Sequence, residues 1–370
     1  MTDPIYLDHN ATTPLHAEVR AAMIEAMDAW GNPSSGHVYG QRARGALERA
    51  RGEVAALLGA QPDEIVFTSG GTEANNLALH GVLRARRGAL VISAVEHPAT
   101  RAPAERLRDE GREVRVLAID ADGRTRLTSL DGAALVSVMH ANNETGVIQP
   151  IAELAAAAHA AGALMHSDAA QSVGKVPVDV EALGVDLLSV AAHKLYGPKG
   201  VGALFVHRGV TLAPFTVGAG HERGLRPGTE NVVGAAGLGA ACRVARADLA
   251  REAERVAGLR DALVSRLRAS VPDLAVHGER APRLPNTASV RFPGVSGASL
   301  LASVPGLAAS AGSACHEGDE TPSAVITAMG VDPRAALGTV RLSLGRGTTP
   351  EAVEDAARML IAAWRRASAG

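Results

Sequence analysis

Short apolar runs typical of buried β-strands alternate with helix-forming stretches over the first two-thirds of the chain. The strand-like runs are 64–68, 90–93, 113–119, 134–140, 163–168, 186–192 and 202–207. Helical patterns lie around them, for example at 15–29, at 40–58 before Gly59, and at 151–161. Alternation of this kind is typical of a mostly parallel sheet that is covered by helices on both faces. We therefore predict an α/β architecture for this part of the chain.

The last third of the chain has a different pattern. A long Ala/Arg/Glu stretch, 234–269, predicts one or two helices. After it come a strand near 287–292, a helix near 297–304, a polar loop, a helix near 323–329, a strand at 339–344 and a final helix from Pro350. We predict a large domain over 15–250 and a smaller α+β domain formed by 1–14 and 251–370.

Composition excludes several classes of protein. With 46% hydrophobic residues in 370, the chain can form a sizeable core. A net charge of −2 gives no electrostatic basis for binding nucleic acid or an anionic membrane. No apolar run is long enough to cross a bilayer, and MTDPIYLDHNATTP lacks the apolar region of a signal peptide. Two cysteines cannot form a disulfide framework, so we expect a cytoplasmic protein.

The two cysteines stand in contrasting surroundings. Cys315 lies in SAGSACHEGD, 310–319, among small and polar residues, whereas a structural cysteine usually has apolar neighbours. We predict that Cys315 is exposed in a loop. Cys242, within GAACRVARA, is predicted to pack inside a helix.

A lysine follows one of the predicted strands. In SVAAHKLYGPKG, 189–200, Lys194 comes after the strand and before a Gly-Pro turn. A single lysine at a strand end is commonly a surface residue. However, ligands of α/β proteins collect at the carboxyl ends of strands, and a shielded lysine there can lose its proton and react with an aldehyde cofactor.

Pyridoxal phosphate is such an aldehyde, and upstream residues supply its other requirements. Its ring nitrogen needs a carboxylate, and Asp168 ends the strand ALMHSD, with Gln171 following in position to donate to the ring hydroxyl. Its phosphate needs N–H donors at a helix start. The stretch TSGGTEANN, 68–76, predicts a strand, a glycine turn and a helix N-terminus with the Thr72 hydroxyl.

Many short motifs occur together in this order, and together they resemble the cysteine desulfurases of the class V aminotransferase family. The motifs are YLDHNATTP, GNPSS, FTSGGTEANN, VEHPA, HANNETGVIQP, HSDAAQSVGK, AAHKLYGPKG, GHERGLRPGTEN, SAGSACHEG and VRLSLGR. The resemblance implies the fold of type-I pyridoxal-phosphate enzymes. That fold has a large domain with a mostly parallel, mixed seven-stranded sheet between helices, and a smaller α+β domain.

The resemblance also implies roles for individual residues. Lys194 would form the Schiff base and move the Cα proton of the substrate, while Arg341 would bind the substrate carboxylate. Around the cofactor, Asp168 would pair with the ring nitrogen and Gln171 with the ring hydroxyl. The remaining implied cofactor contacts are His97 on the ring face, Asn143 beside ring and substrate, Gly71, Thr72 and His193 at the phosphate, and Thr229 at the phosphate of a second subunit. A homodimer with shared sites is therefore implied.

The resemblance gives the Cys315 thiol a reaction. It would attack the sulfur of bound L-cysteine, retain that sulfur as a persulfide and leave L-alanine. The sulfur would pass to an acceptor protein for iron–sulfur cluster assembly, or for thiolation of tRNA or a cofactor. His316 would either tune this thiol or be solvated. A selenocysteine lyase, which shares the fold, and a catalytically silent scaffold remain alternative functions.

One position departs from the family pattern. The family usually has a phosphate-binding serine two residues before the His-Lys pair, where this chain has Ala191. We expect weaker retention of the cofactor rather than its loss, because the Schiff base, Asp168 and the other donors remain. The spacing from Cys315 to Pro322 favours the longer, mobile cysteine loop of this family over its short structured form.

Overall fold

The computed structural model describes residues 4–316 and 319–368, and side chains are described for these residues except 313–319. Its helices are α1 (Ala17–Met27), α2 (Val38–Leu58), α3 (Gly71–Ala85), α4 (Pro98–Asp109), α5 (Ile151–Ala160), α6 (Val180–Leu183), α7 (Val232–Ser270), α8 (Gly297–Ala302), α9 (Ala324–Ala328), α10 (Pro333–Ala336) and α11 (Pro350–Ser368). Its strands are β1 (Ile5–Tyr6), β2 (Ile65–Thr68), β3 (Ala89–Ser93), β4 (Val114–Leu117), β5 (Ala133–Ser137), β6 (Leu164–Asp168), β7 (Leu187–Ala191), β8 (Gly202–Val206), β9 (Ala275–Val276), β10 (Thr287–Arg291), β11 (Leu307–Ala308), β12 (Ser310–Ala311), β13 (Ser313–His316), β14 (Asp319–Pro322) and β15 (Thr339–Ser343).

A seven-stranded sheet forms the centre of the protein, with the strand order β2-β8-β7-β6-β5-β3-β4. The neighbours from β7 to β4 pair in parallel, whereas β8 is antiparallel to both β7 and β2. These are the seven strands that the alternating pattern predicts, and the mixed, mostly parallel sheet is confirmed. The carboxyl ends of β6 and β7 lie side by side, since Asp168 is in register with Ser189.

Helices cover both faces of the sheet because successive residues of each strand point to opposite sides. In β2, for example, Ile65 and Phe67 pack into one apolar cluster and Val66 into another. The first cluster includes residues of α2, α5 and the first part of α7, and the second includes α3 and α4. Gly59 ends α2 in a left-handed conformation, φ 70°, at the predicted position.

A separate apolar cluster forms around a four-stranded sheet with the order β12-β15-β10-β9. It combines that sheet with α8, α11, the second part of α7 and Leu7 from the N-terminal segment. The smaller α+β unit is therefore present. The division at residue 250 stays a prediction, because α7 is one continuous helix of 39 residues that contributes to both clusters.

The segment that contains Cys315 has a regular backbone. Strands β13 and β14 pair antiparallel, with Cys315 opposite Glu320 and Ser313 opposite Pro322. The backbone is thus a short hairpin where the sequence predicts an irregular loop, because Ser313 to His316 find pairing partners in Asp319 to Pro322. The exposure of the Cys315 thiol and the role of His316 lie outside the described side chains and stay predictions.

Two other expectations concern α7 and membranes. Cys242 is fully buried in α7, as predicted, and burial raises the pKa of its thiol. Within residues 4–316 and 319–368, no helix is long and apolar enough to span a bilayer.

Candidate active site

Lys194 lies just beyond the carboxyl end of β7, in the short 3₁₀ helix Ala192–Lys194. Its Nζ donates to the backbone oxygens of Asn10, at 2.6 Å, and Ala11, at 2.8 Å. Burial, together with the positive charge of Arg341, lowers the pKa of Lys194 to about 8. Among the described residues no carboxylate forms an ion pair with it. The amine is therefore held in place by neutral acceptors and loses its proton near neutral pH.

Asp168 ends the neighbouring strand β6 and is buried. Its Oδ2 accepts a 2.7 Å hydrogen bond from Asn75 Nδ2, and its Oδ1 accepts one of 2.9 Å from the backbone N–H of Ala170. Its charge acts on both Lys194 and His97, raising the pKa of each against the effect of burial. The Asp168 carboxylate therefore lies at the same end of the sheet as the amine.

Gln171 follows Asp168 in the turn after β6 and is also buried. Its Nε2 donates to Asn10 O at 2.9 Å, which is the oxygen that Lys194 Nζ also contacts. Its Oε1 accepts a hydrogen bond of 2.9 Å from Lys175 Nζ. Gln171 and Lys194 are thus brought together at one backbone oxygen.

The glycine turn after β2 forms the predicted helix start. Gly70 has φ 151°, a conformation that favours glycine, and no atom lies within 4 Å of the position that a Cβ would take. The 15-residue helix α3 begins at Gly71, so its first N–H groups point into this open space near the exposed Thr72. His193 Nδ1 lies 3.2 Å from Thr12 Oγ1. Burial and the charge of Lys194 lower the pKa of His193 to about 4, so its imidazole is neutral.

A cavity of about 410 Å³ lies between the two units of the fold, and His97, Asn143 and Arg341 line it. Arg341 Nη2 donates to Asp8 Oδ1 at 2.6 Å and to Ser310 Oγ at 2.9 Å, while Nη1 donates to Asn143 O at 3.2 Å. Arg341 Nε is buried without a partner among the described residues. The guanidinium is therefore fixed in direction and keeps its Nε–H free in the interior.

His97 is the N-cap of α4, where its Nδ1 accepts from the Ala99 N–H at 3.0 Å. This bond leaves Nε2 as the protonated nitrogen of the neutral ring. Burial by the surrounding protein lowers the pKa of His97, Lys194 and Arg101 act in the same direction, and Asp168 opposes them. Its ring is therefore a neutral group that lines the cavity beside Arg341.

One predicted residue is not joined to this group, and the side chain of another is not described. Thr229 is exposed and lines a different depression, together with Trp30 and Asn32. No hydrogen bond in the described part of the chain links Thr229 to the residues around Lys194. The thiol of Cys315 lies outside the described side chains, although the adjoining residues Thr321, Pro322 and Ser323 line the 410 Å³ cavity.

Sequence reasoning missed several residues that complete the site. Asn10 accepts from both Lys194 and Gln171, Asn75 holds Asp168, and Lys175 holds Gln171. All three belong to the motifs that carry the family resemblance, so their membership of those motifs is the signal that could have identified them. No spacing rule predicts contacts across 161 residues, as between Asn10 and Gln171.

Two glutamates in the cavity wall were also missed. Glu96 Oε1 accepts from Ser93 Oγ at 2.5 Å and from Met139 N–H at 2.8 Å, and burial raises the pKa of Glu96 to about 8. Glu144 accepts a 2.5 Å hydrogen bond from Ser323 Oγ, and burial raises its pKa as well. Both glutamates line the cavity, so it presents carboxyl groups with raised pKa values beside the cationic Arg341.

The fold is that of a known family. Residues 5–355 match the family described as aminotransferase class-V, and the chain belongs to it. Among curated relatives, a protein named cysteine desulfurase IscS from Anaeromyxobacter sp. (strain Fw109-5) is 44% identical over 373 residues, covering 98% of this chain and 92% of the relative. A cysteine desulfurase of Klebsiella pneumoniae is 45% identical over 359 residues, covering 95% and 90%.

Solved structures agree with this assignment. A NifS-like protein superposes with a TM-score of 0.89 and 36% identity, covering 99% of both chains. The NifS-like protein from Rickettsia africae ESF-5 superposes with a TM-score of 0.88 and 30% identity, covering 99% of this chain and 100% of that protein. A third structure, SspA in complex with cysteine, superposes with a TM-score of 0.80 and 32% identity, covering 93% of this chain and 99% of that protein.

Proposed function

We propose that this protein is a pyridoxal-phosphate-dependent cysteine desulfurase, a sulfurtransferase that converts L-cysteine to L-alanine and passes the sulfur to Cys315 as a persulfide. The observation that carries the proposal is the Lys194 amine. It is held by two backbone oxygens at the end of β7, and its pKa is lowered to about 8. The names of relatives at 44–45% identity support the same activity.

The residues around Lys194 fit pyridoxal phosphate. The amine would bond to the aldehyde carbon, and the Asp168 carboxylate would hold the proton on the ring nitrogen. The N-terminus of α3, with Gly71, Thr72 and the neutral His193, would receive the phosphate. When bound, the cofactor supplies an electron sink that stabilises negative charge at the substrate Cα. Buried atoms without partners, Arg341 Nε and Asn75 Oδ1, support a site that is completed by a ligand.

The substrate would lie in the 410 Å³ cavity. Arg341 would bind its carboxylate, since the fork is already oriented by Asp8 and Ser310 and retains an unpaired Nε–H. Asn143, whose backbone oxygen contacts Arg341, would lie beside both ring and substrate. The relative SspA is described in complex with cysteine, which supports cysteine as the substrate.

The protein's own groups would carry out the proton and sulfur transfers. Lys194, neutral once its amine is released, would take the Cα proton, and His97 would assist from the cavity wall. The Cys315 thiolate would then attack the substrate sulfur. The Cβ–S bond would break, an S–S bond would form, Cβ would receive a proton to give the methyl group of alanine, and Lys194 would return the proton to Cα. Substrate carbon is reduced as substrate sulfur is oxidised, so no external oxidant is needed.

A homodimer would complete the phosphate site. Thr229 lies in a depression with Trp30, which is 73% exposed. The Trp30 ring stacks on that of the half-exposed Tyr39, with the ring centroids 4.8 Å apart. Exposed aromatic residues of this kind are typical of an interface. Thr229 would then reach the phosphate in the second subunit. Acceptor proteins for iron–sulfur assembly or thiolation, and a cytoplasmic location, belong to the same proposal.

The test is the reaction with L-cysteine. The purified protein should release alanine and retain sulfur on Cys315, while Lys194→Ala should lose both the visible absorbance of the cofactor and turnover. Cys315→Ala should form no persulfide, whereas Cys242→Ala, the matched control at the other cysteine, should behave as the wild type.

Two other results would replace this proposal. Fast turnover of selenocysteine that survives Cys315→Ala would identify a selenocysteine lyase. Protein that carries no cofactor and turns over neither amino acid would be a silent scaffold.

A further inference from the structure

A partly buried lysine close to the site has no role in the reaction described above. Lys175 follows Asp168 and Gln171 in the turn after β6, and its Nζ donates to Gln171 Oε1 at 2.9 Å. The preceding Gly174 has φ 78°, and a Cβ there would come within 3.1 Å of Leu195 Cβ. The tight, glycine-dependent turn therefore directs Lys175 back towards the site instead of towards solvent.

The surroundings of Lys175 are unfavourable for a spare positive charge. Among the described residues no carboxylate forms an ion pair with it. Burial, with the charges of Lys194 and Arg341, lowers the pKa of Lys175 to about 7. A lysine that served only to keep the protein surface hydrated would point into solvent, and would not lie beside the charges of Lys194 and Arg341. Its contact with Gln171 is the only hydrogen bond that the described residues give its Nζ.

That contact determines which way the Gln171 amide faces. The ammonium form of a lysine can only donate, and here Lys175 Nζ binds the amide oxygen of Gln171. At the other end, Asn10 O can only accept, so it takes the amide N–H at 2.9 Å. Reversing the amide would place two oxygens against each other at Asn10. Lys175 and Asn10 together therefore point the Gln171 N–H groups towards the side on which Lys194 lies.

We propose that Lys175 is a positioning residue, which fixes the Gln171 amide so that its N–H donor faces the ring oxygen of the bound cofactor. The inference rests on the proposed function, because it assumes that a pyridoxal ring occupies the site beside Lys194. Lys175 itself touches neither ring nor substrate and acts through Gln171. Its removal should therefore alter the electronic state of the ring more than the binding of L-cysteine.

The test is a double-mutant cycle read by absorbance. Lys175→Met keeps the length and apolar stem of the side chain but removes the donor, and Gln171→Leu removes the amide. We expect Lys175→Met to shift the visible spectrum of bound pyridoxal phosphate and to speed dissociation of the cofactor. It should also lower kcat about tenfold with KM little changed, because a loss of this size corresponds to one charge-assisted hydrogen bond. In the Gln171→Leu background the same change should have an effect of less than about twofold.

Controls separate positioning from general damage. Lys199→Met, at an exposed lysine of the neighbouring turn, should leave spectrum and kcat unchanged. Lys175→Arg, which only donates, should keep the wild-type spectrum, whereas Lys175→Gln, which can also accept, should not. This pair decides the question if Lys175→Met does not fold.

Two results would overturn the inference: an unshifted spectrum in Lys175→Met, or effects of the two substitutions that simply add. A wild-type protein without any visible chromophore would instead refute the proposed function.

Discussion

Substitution of Glu222 should destabilise the protein strongly, because this residue forms a buried ion pair. Glu222 accepts from Arg51 through both oxygens, at 2.7 and 2.8 Å, and also from the Phe67 N–H at 2.8 Å. Arg51 and Glu222 are 8% and 7% exposed. Both Glu222, φ 45°, and Arg223, φ 58°, adopt the left-handed conformation, which costs a non-glycine residue free energy. The pair therefore holds a strained turn at the start of the segment that leads to Thr229.

Glu222→Gln keeps the shape of the side chain but removes the only buried carboxylate that binds Arg51 among the described residues, leaving the exposed Glu48, 3.2 Å from Arg51 Nε, as its remaining ion-pair partner there. Breaking one side of a buried pair costs about 3–5 kcal/mol. In urea unfolding at 25 °C, the free energy of unfolding should fall by about that amount, with the m-value unchanged. Limited proteolysis should also cut between residues 215 and 231 faster than in the wild type, since the strained turn would open.

The chain offers a matched control at the surface. Arg208 binds Asp63 in the same two-point manner, at 2.7 and 3.0 Å, but both side chains are exposed. Asp63→Asn should therefore change the free energy of unfolding only slightly. Equal losses in Glu222→Gln and Asp63→Asn would refute the reasoning, because burial would then make no difference. The double variant Arg51→Met/Glu222→Leu should lose less than the sum of its single changes.

Four further predictions concern the site. Arg341→Lys should raise KM for L-cysteine about 10- to 100-fold with a smaller change in kcat, because an ammonium cannot bind a carboxylate at two points; an unchanged KM would place the substrate elsewhere. Asp168→Asn should lower kcat at least about 100-fold and alter the absorbance of the bound cofactor. Equal kcat values would show that Asp168 does not act on the ring nitrogen. Ala191→Ser adds a hydroxyl next to Gly71, so cofactor affinity should rise about tenfold or more, and equal dissociation rates would contradict this. In cofactor-free protein, the pKa of Lys194 is about 8 in the folded state and about 10.5 in the unfolded state. The unfolded state therefore binds more protons between these values, and the free energy of unfolding should rise from pH 8 to 10. Lys194→Met should reduce this rise.

The large sheet could be predicted because its strands are buried on both faces and read as short apolar runs. The exception is the edge strand β4, Val114–Leu117, which contains Arg115 and has Val116 exposed. The antiparallel placement of β8 between β7 and β2 follows no local pattern. Likewise, the short strands β9, β11 and β12 have two residues each and depend on partners far along the chain.

The sequence predicts some residues of the candidate site and not others. Lys194, Asp168 and Gln171 could be predicted because Asp168 ends a strand and the other two follow strands whose ends the sequence marks. Asn10 could not, since its contribution is a backbone oxygen delivered from the N-terminal segment across 184 residues to Lys194. Lys175 is invisible for a different reason: only the folded turn, with Gly174 at φ 78°, shows that its amine faces inwards.

Transfer of labelled sulfur is the most direct test of the central claim that an amine at position 194 and a thiol at position 315 cooperate in one reaction. The protein would be mixed with one equivalent of L-cysteine whose sulfur carries a heavy isotope, then digested and analysed by mass spectrometry. The heavy sulfur atom should appear on the peptide that contains Cys315, with one alanine for each atom transferred, and neither product should form in Lys194→Ala. Alanine formed at the wild-type rate with no label on that peptide, or label on Cys242 instead, would contradict the claim.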